Sequence, residues 1–273
     1  MYVLGITGDA PTDSRNQAVD RVADRLGQAG RVGVVRYDAT IADGAASRPE
    51  RHGGDVTYEL GADGDWAATG TGLSVRDALD GLASDCDYAI VDGVDRLAQP
   101  QVVIGGPARG VNDPLAIVEH PRDLDLETIV DALHERESYE TLASLVETVT
   151  NASEADRAGA IATFTGRVRA RDGPDDVRTK HLEFEKYDGF ADEQLVAIES
   201  DLARRDGVLA VELHHRTGIV PAGEDIVFVV VLAGHRREAF RTVEDGINRL
   251  KDEVPLFKKE VTVDDEFWAH ERR

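Results

Sequence analysis

The first 37 residues alternate between short apolar runs and one helix-like segment, and this order constrains the fold more than any other feature. Tyr2–Thr7 is an apolar run that leads into a loop. Arg15–Gly30 carries apolar residues three and four apart, as on one face of a helix. Val32–Tyr37 is a second strand-like run. A strand, a loop, a helix and a strand in this order predict an α/β domain on a mainly parallel sheet.

The rest of the chain supports two domains. Up to residue 137 we predict the helices Val75–Ser84 and Leu126–Glu137 and the strands Tyr88–Val91, Val102–Ile104 and Leu115–Val118. Residues 41–74 are rich in Gly, Ala and Asp and predict no element. Arg136–Ser138 is the best candidate for a boundary, which gives domains 1–137 and 138–273.

The second half mixes helices and strands, which predicts an α+β domain. The predicted helices are Glu140–Val149, Ala191–Arg205 and Arg236–Val254, and the predicted strands are Ala160–Arg169, Lys180–Tyr187, Val208–Arg216, Ile226–Ala233 and Phe257–Val263. A turn around Pro221–Glu224 is expected to join the third and fourth of these strands.

Composition excludes several classes of protein. Hydrophobic residues make up 41% of the chain, which suffices for a buried core. There is no run of eighteen apolar residues, so we expect no membrane span. The start lacks the basic segment of a signal peptide, and we expect a cytoplasmic protein. Cys86 is the single cysteine, which rules out an internal disulfide and a Cys-rich metal motif.

The net charge of −22 results from 53 acidic and 31 basic residues. Nucleic-acid binding is not expected, because phosphate contacts require basic stripes. Acidic residues exceed basic ones in both halves, and this pattern favours adaptation of the whole surface to a salt-rich cytoplasm, where salt screens the repulsion. An ordinary acidic protein is the alternative.

Lysine is rare and unevenly placed. Only five of the basic residues are lysines, and they are Lys180, Lys186, Lys251, Lys258 and Lys259. The last three fall within nine residues. An ammonium is a compact charge whose pKa shifts readily on burial, and catalytic lysines exploit this property. The alternative is a basic helix end, since cations suit a helix C-terminus.

The loop Gly5–Thr12 follows a strand and precedes a helix, where a phosphate-binding loop would lie. A working loop of this type carries a second glycine followed by lysine, but Ala10 and Pro11 occupy these places. We therefore predict a degenerate loop that binds neither GTP nor ATP. Asp92 could hold Mg²⁺ if a nucleotide were present, although a strand end followed by a turn explains it better.

Three stretches of this half carry a family resemblance. They are the strand–loop–helix start, RVGVVRYD at Arg31–Asp38, and DYAIVDG at Asp87–Gly93 followed by VVIGG at Val102–Gly106. Together they resemble the MobB-like GTP-binding adaptors of molybdenum-cofactor biosynthesis. The resemblance implies a P-loop type of fold, and the substitutions at Ala10 and Pro11 favour an interaction or structural module over a nucleotide hydrolase.

The second half carries four elements in order: AGAIATFTGRVR at Ala158–Arg169, GHRREAF at Gly234–Phe240, NRLKDEVPLFKKE at Asn248–Glu260, and Trp268. Together they resemble the large subunit of molybdopterin synthase. The resemblance implies transfer of sulfur to cyclic pyranopterin monophosphate from the C-terminal thiocarboxylate of a small ubiquitin-like carrier protein. It also implies a homodimer with one carrier at each far end, without a cofactor or metal.

The resemblance assigns Arg169, His235 and Arg236 to an anion pocket. Residue chemistry agrees, because the substrate phosphate and the carrier tail are both anions, and arginine binds phosphate oxygens by paired hydrogen bonds. A helix that begins near Arg236 would also direct backbone donors at an anion. The alternatives are a surface arginine at Arg169 and an ordinary helix start at His235.

Lys251 and Lys258 match the two essential lysines of the same family. Pro255 forces a turn between them, so both ammonium groups can reach one pocket. We expect Lys251 to meet the thiocarboxylate and stabilise the tetrahedral anion, or to transfer a proton. Lys258 would assist in substrate binding or hold a covalent intermediate. Lys259 should point the other way, into solvent.

The remaining candidates favour structural interpretations. Adjacent strand residues point to opposite faces, so His214 and His215 cannot chelate one metal together, and Glu183 and Glu185 are not expected to bind one. Phe257 and Trp268 favour packing over stacking on a pterin. A non-catalytic adaptor that docks the carrier or a molybdoenzyme is the rival function, and intact lysines argue against it.

Overall fold

The apolar runs of the first half form a five-stranded sheet whose middle strand is the first in the chain. The strands of this half are β1 (Tyr2–Thr7), β2 (Val32–Arg36), β3 (Val56–Leu60), β4 (Trp66–Gly70), β5 (Tyr88–Asp92), β6 (Gln101–Ile104) and β7 (Ala116–Val118). The sheet order is β2-β5-β1-β6-β7 and every pairing in it is parallel. The predicted α/β domain with a mainly parallel sheet is confirmed.

Helices cover both faces of this sheet. They are α1 (Thr12–Leu26), α2 (Val75–Leu82) and α3 (Leu126–His134). The helices α1 and α3 pack with Leu4 and Ile6 on one face, whereas α2 packs with Val3 on the other. Alternate residues of β1 thus supply both cores, as expected for a strand buried on both sides.

The computed structural model describes residues 1–37, 55–95, 97–108, 110–186, 189–263 and 266–268. It divides into two compact units, Met1–Thr141 and Leu142–Arg273. The boundary predicted after residue 137 lies four residues before this division.

The hairpin of β3 and β4 was not predicted. Residues 41–74 were left without an element, but β3 and β4 pair antiparallel. Their cross-strand register places Tyr58 opposite Ala68 and Leu60 opposite Trp66, so one face of the hairpin is apolar. The Gly- and Asp-rich composition hides this alternation, because each strand has only five residues.

The second unit contains two antiparallel sheets and three helices. The strands are β8 (Ala160–Arg167), β9 (Thr179–Lys186), β10 (Val208–His215), β11 (Gly218–Pro221), β12 (Asp225–Ala233), β13 (Leu256–Thr262) and β14 (Glu266–Trp268), and the helices are α4 (Leu142–Thr150), α5 (Phe190–Ala203) and α6 (Arg236–Glu253). The sheets have the orders β10-β12-β8 and β11-β9-β13-β14. The predicted α+β class is confirmed.

The strand β12 is the centre of this unit. Its last seven residues are all buried, because α5 and α6 cover one face of its sheet and α4 covers the other. The helix α6 follows β12 after two residues and runs back along it. Gly246 allows this approach, since a Cβ there would lie 3.0 Å from Val229 Cγ1.

The strand β11 was also missed, because it lies between the predicted strand Val208–Arg216 and the predicted turn around Pro221–Glu224, where no element was assigned. Its four residues pair with β9 of the other sheet rather than with β10 or β12. A segment this short carries no readable period. None of the helices within the described ranges is long and apolar enough to cross a membrane.

Candidate active site

Two predicted site cations lie where α6 begins. His235 is the N-cap residue with an extended backbone, and its side chain makes no capping hydrogen bond. Arg236 is the first residue of the helix, and both side chains are exposed. Unpaired backbone N–H groups and the helix dipole make this end favourable for an anion.

Lys251 and Lys258 lie at the other end of α6. Lys251 is exposed in the last helical turn. After Pro255 the chain enters β13, where Lys258 is half-buried and pairs in register with Phe184 of β9. The predicted turn therefore exists, and it brings the helix end and the third residue of the strand to the same side of the unit.

The side chain of Glu253, two residues after Lys251, is held by another residue. Arg249 donates two hydrogen bonds to Glu253, at 2.7 Å to Oε1 and 3.0 Å to Oε2. These hydrogen bonds hold the pKa of Glu253 below its ordinary value. Asp201 also accepts from Arg249, at 3.4 Å. The side chain of Glu253 is thus directed at Arg249 rather than at Lys251.

The two ends of α6 are far apart within one chain. Arg236 and Lys251 are fifteen residues apart in a continuous helix, which corresponds to about 22 Å at the usual rise per residue. Arg169 follows the end of β8, which pairs with the start of β12. Because α6 runs back along β12, Arg169 lies at the Lys251 end and not at the His235 end. Within one chain, the residues of the predicted anion pocket therefore form two separate groups. Arg169 lies at the Lys251 end of α6, and His235 and Arg236 lie at the other end.

Most of these side chains have no partner in the part of the chain that the structure describes. There, the side chains of Lys251, Lys258, His235 and Arg236 make no hydrogen bond or ion pair. Arg169 differs, because its Nη1 lies 2.9 Å from Asp172 Oδ1, although both side chains are mostly exposed. In a chain with 53 acidic residues, the unpartnered side chains of Lys251, Lys258 and Arg236 leave positive charge available for an external anion.

Lys259 and Phe257 differ from expectation. The register places Lys259 opposite Glu183 on the outer face, as strand alternation predicts. Its side chain is only 22% exposed and its Nζ lies 3.9 Å from Glu183 Oε2, so it is not a free solvent residue. Phe257 is 53% exposed, which corrects the packing interpretation for this residue within the chain. The side chain of Trp268 lies outside the described part.

Lys186 was not predicted as a site residue. It ends β9, opposite Leu256, the first residue of β13. Its side chain is only 12% exposed and its Nζ donates to Asp192 Oδ1 at 2.9 Å. The rarity of lysine could have suggested Lys186 as a site residue. Only the pairing of β9 with β13 shows that it lies near Lys258 and the turn that follows Lys251.

The two adjacent histidines have different surroundings. His214 stacks with Phe228, whereas His215 is buried, contacts Phe184 edge-on and places Nδ1 2.8 Å from the Arg216 carbonyl oxygen. Glu183 lies beside Lys259. Within the described residues, no group of three or more His, Cys, Asp or Glu side chains is arranged to hold a metal ion.

In the first unit, the side chain of Arg15 contacts both the loop Gly5–Thr12 and Asp92. Arg15 Nε lies 3.1 Å from Asp92 Oδ1, and its Nη1 donates to the Ala10 carbonyl oxygen at 2.9 Å. Asp92 is 5% exposed and ends β5, and Gly93 then turns the chain at φ 86°. The carboxylate considered for Mg²⁺ therefore pairs with a guanidinium of the same unit.

Known proteins resemble this chain over both halves. The MoaE protein family matches residues 133–253. A protein named "Probable molybdopterin synthase" from Haloferax volcanii is 45% identical over 276 residues, which cover 100% of each chain. The "Molybdopterin synthase catalytic subunit" of Caulobacter vibrioides is 39% identical over 105 residues, or 38% of this chain and 67% of that one. The solved structure of a MobB protein homolog from Bacillus stearothermophilus matches at 19% identity with a TM-score of 0.36, over 50% of this chain and 100% of that chain.

The structure has two compact units and, within the described residues, the C-terminal unit carries unpartnered side chains at the predicted site positions. The full-length match then shows the family: the chain belongs to the molybdopterin synthase family, with its MoaE region in the C-terminal half. It is an enzyme of molybdopterin synthesis, within molybdenum-cofactor biosynthesis. The predicted family is confirmed, which favours an enzyme over the adaptor alternative.

Proposed function

We propose that this enzyme transfers sulfur from the thiocarboxylated C-terminus of a small ubiquitin-like carrier protein to cyclic pyranopterin monophosphate, which yields molybdopterin. The observation that carries the proposal is the pair Lys251 and Lys258, unpartnered at one end of α6 in a chain of net charge −22. The carrier tail and the substrate phosphate are both anions, so each requires cations, which acidic residues outnumber in this chain.

Lys251 would act on the carrier tail. The thiocarboxylate sulfur bonds to a side-chain carbon of the pterin and displaces the oxygen substituent of that carbon. Water then attacks the acyl carbon of the resulting thioester, and a tetrahedral anion forms. Collapse of this anion breaks the bond between carbon and sulfur, releases the carrier as a carboxylate and leaves sulfur on the pterin. An ammonium directed at the developing oxyanion stabilises it, and removal of such a donor typically costs about a hundredfold in rate or more.

Lys258 and Arg169 would bind substrate beside Lys251. Lys258 is half-buried on the face of β13 that carries Leu256. Arg169 lies at the same end of the unit and is exposed. Its contact with Asp172 is a surface ion pair, which contributes little and can be replaced by a phosphate.

We also propose that two chains complete one site. Arg236 and Lys251 are about 22 Å apart in α6, too far for one small substrate within one chain. In a homodimer, His235 and Arg236 of one protomer would lie beside Lys251 and Lys258 of its partner, with one carrier at each end. The phosphate and the reacting carbon would then bind cations from different chains.

Complementation tests this arrangement. Lys251→Ala and Arg236→Ala homodimers should each be weakly active. Co-refolding equal amounts would make half of the dimers mixed, each with one intact site, so about a quarter of wild-type sites should return. If subunit exchange is demonstrated and activity does not return, the site lies within one chain.

The sulfur-transfer proposal itself is tested by an in vitro conversion. Purified full-length protein, cyclic pyranopterin monophosphate and thiocarboxylated carrier should yield molybdopterin in high salt. A carrier with an ordinary carboxylate terminus is the control and should yield none. If the thiocarboxylated carrier binds but no product forms, the proposal is wrong.

A further inference from the structure

Three of the five lysines of this chain converge on one corner of the second unit. Lys251 ends α6, Lys258 lies in β13, and Lys186 ends β9. No lysine occurs before residue 180, and arginine serves at almost every other basic position. Lys186 is the member of this group that neither sequence motifs nor the reaction described above assigns.

The sheet register fixes where Lys186 lies. In the antiparallel pair of β9 and β13, Lys258 is opposite Phe184 and Lys186 is opposite Leu256. Residues opposite each other share a face, as do residues two apart, so Lys186 and Lys258 are diagonal neighbours on one face, about 7 Å apart at Cβ. Lys186 is also opposite the residue that follows Pro255, and it therefore borders the turn between Lys251 and Lys258.

The side chain of Lys186 is held in place. It is 12% exposed and its Nζ donates to Asp192 Oδ1 at 2.9 Å. Asp192 lies in the first turn of α5, where the helix dipole stabilises a carboxylate. Asp192 is 61% exposed, so water screens its charge more than that of the ammonium.

We propose that Lys186 is a third anion-binding residue of the site formed by Lys251 and Lys258. This inference rests on the proposed function. The group bound is an anionic oxygen or sulfur, which the carrier terminus or the substrate phosphate could supply. Asp192 orients the ammonium and competes with the bound anion for it. A structural tie between β9 and α5 is the contrary explanation, and it predicts no effect on binding.

Two variants separate these explanations. Lys186→Gln should raise the dissociation constant and KM of one anionic ligand about tenfold, as loss of a charge-assisted hydrogen bond does, and leave kcat within about twofold. Asp192→Asn removes the competing carboxylate and should leave binding unchanged or tighten it. Lys186→Arg keeps the charge and should restore most of the loss.

Calorimetric titration is the primary measurement, because it does not depend on turnover. Each variant is titrated separately with cyclic pyranopterin monophosphate and with carrier that ends in an ordinary carboxylate, and the ligand that weakens identifies the source of the anion. Unchanged affinity of Lys186→Gln for both ligands would overturn the inference, even if wild-type enzyme converts substrate. If Lys186→Gln does not fold, Asp192→Asn decides, since weaker binding there supports the structural tie. A wild type that binds both ligands without conversion contradicts the proposed function alone.

Discussion

Each half of the chain places a cation near a helix end, and the two cations have opposite surroundings. Arg15, near the start of α1, contacts the buried carboxylate of Asp92 and the carbonyl of Ala10. Lys251, in the last turn of α6, has no partner within the described residues, and the nearby Glu253 is held by Arg249. The first cation is already neutralised by its own unit, whereas the second remains available.

This difference is informative because carboxylates are abundant everywhere in the chain. Many cations of the described residues pair with a carboxylate, but the side chains of Lys180, Arg237 and Arg241 also have no partner there. The pair of Arg15 and Asp92 is internal to the first unit. The unpartnered ammonium of Lys251 leaves charge for an external anion, which the proposed function requires. Substitutions in each half test whether this difference has functional consequences.

The largest expected effect concerns Lys251. Lys251→Ala should reduce the rate of sulfur transfer about a hundredfold or more, because the tetrahedral anion loses its ammonium partner. Lys259→Ala is the matched control, since Lys259 lies on the other face beside Glu183, and it should be mild. Product formation under single-turnover conditions measures both. If Lys251→Ala turns over at nearly the wild-type rate, Lys251 does not stabilise the tetrahedral anion.

Arg15 should matter for stability rather than catalysis. Arg15→Leu leaves Asp92 buried and unpaired, which should lower the free energy of unfolding of the first unit by about 2 kcal/mol. The value is below that of a fully buried pair because the Arg15 side chain is 21% exposed. Calorimetric unfolding of the full chain measures it, and sulfur transfer should not change.

The double variant Arg15→Leu with Asp92→Leu is the control for this experiment. It removes both charges, so it should be more stable than Arg15→Leu alone. If the single variant is as stable as wild type, the ion pair does not hold the loop.

Long, strongly patterned elements were predictable from the sequence. The predicted helix Arg236–Val254 is observed as Arg236–Glu253, because eighteen residues offer five turns of apolar periodicity. The hairpin β3–β4 and the strand β11 were not predicted, since four or five residues carry too little pattern. Short segments pair only because distant strands position them.

The site was predictable as a set of residue types but not as an arrangement. Motifs pointed to Lys251 and Lys258, yet the position of Arg169 at the Lys251 end of α6 follows from the pairing of β8 with β12 and from the course of α6 along β12. Lys186 has no motif of its own, and its place beside Lys258 follows from the register of β9 with β13. Long-range strand pairing is not encoded in any local segment.

A smaller effect, on the pH dependence of stability, concerns Glu199 of α5. This residue belongs neither to the proposed active site nor to the Arg15–Asp92 pair. Burial raises the pKa of Glu199 from 4.5 to about 7, although its Oε1 accepts a hydrogen bond from the Leu213 N–H at 2.7 Å. Between these pH values the folded state binds more protons than the unfolded state. Stability therefore falls as pH rises from about 4.5 to about 7, and the full penalty is present above that range.

Glu199→Gln should remove this penalty, because the amide oxygen can still accept from Leu213. The free energy of unfolding should rise by about 1–2 kcal/mol at about pH 8 and change little at about pH 5. Chemical denaturation at both pH values measures it. Glu193→Gln, on an exposed position in the first turn of the same helix, removes a carboxylate that the helix dipole favours, so it should not raise the free energy of unfolding at either pH. An equal gain at both pH values would show that Glu199 is not the titrating group.

The last prediction is that the first unit does not bind nucleotides. Mg-GTP and Mg-ATP should not bind the first unit, because Pro11 supplies no backbone donor, Ala10 replaces the loop glycine, and Arg15 already occupies Asp92. Calorimetry in high salt measures this, with Arg15→Leu beside wild type to test whether the internal cation is the obstacle. A dissociation constant in the low micromolar range for wild type would show that the loop binds nucleotide. The pairing of Arg15 with Asp92 would then not prevent the first unit from binding an external anion.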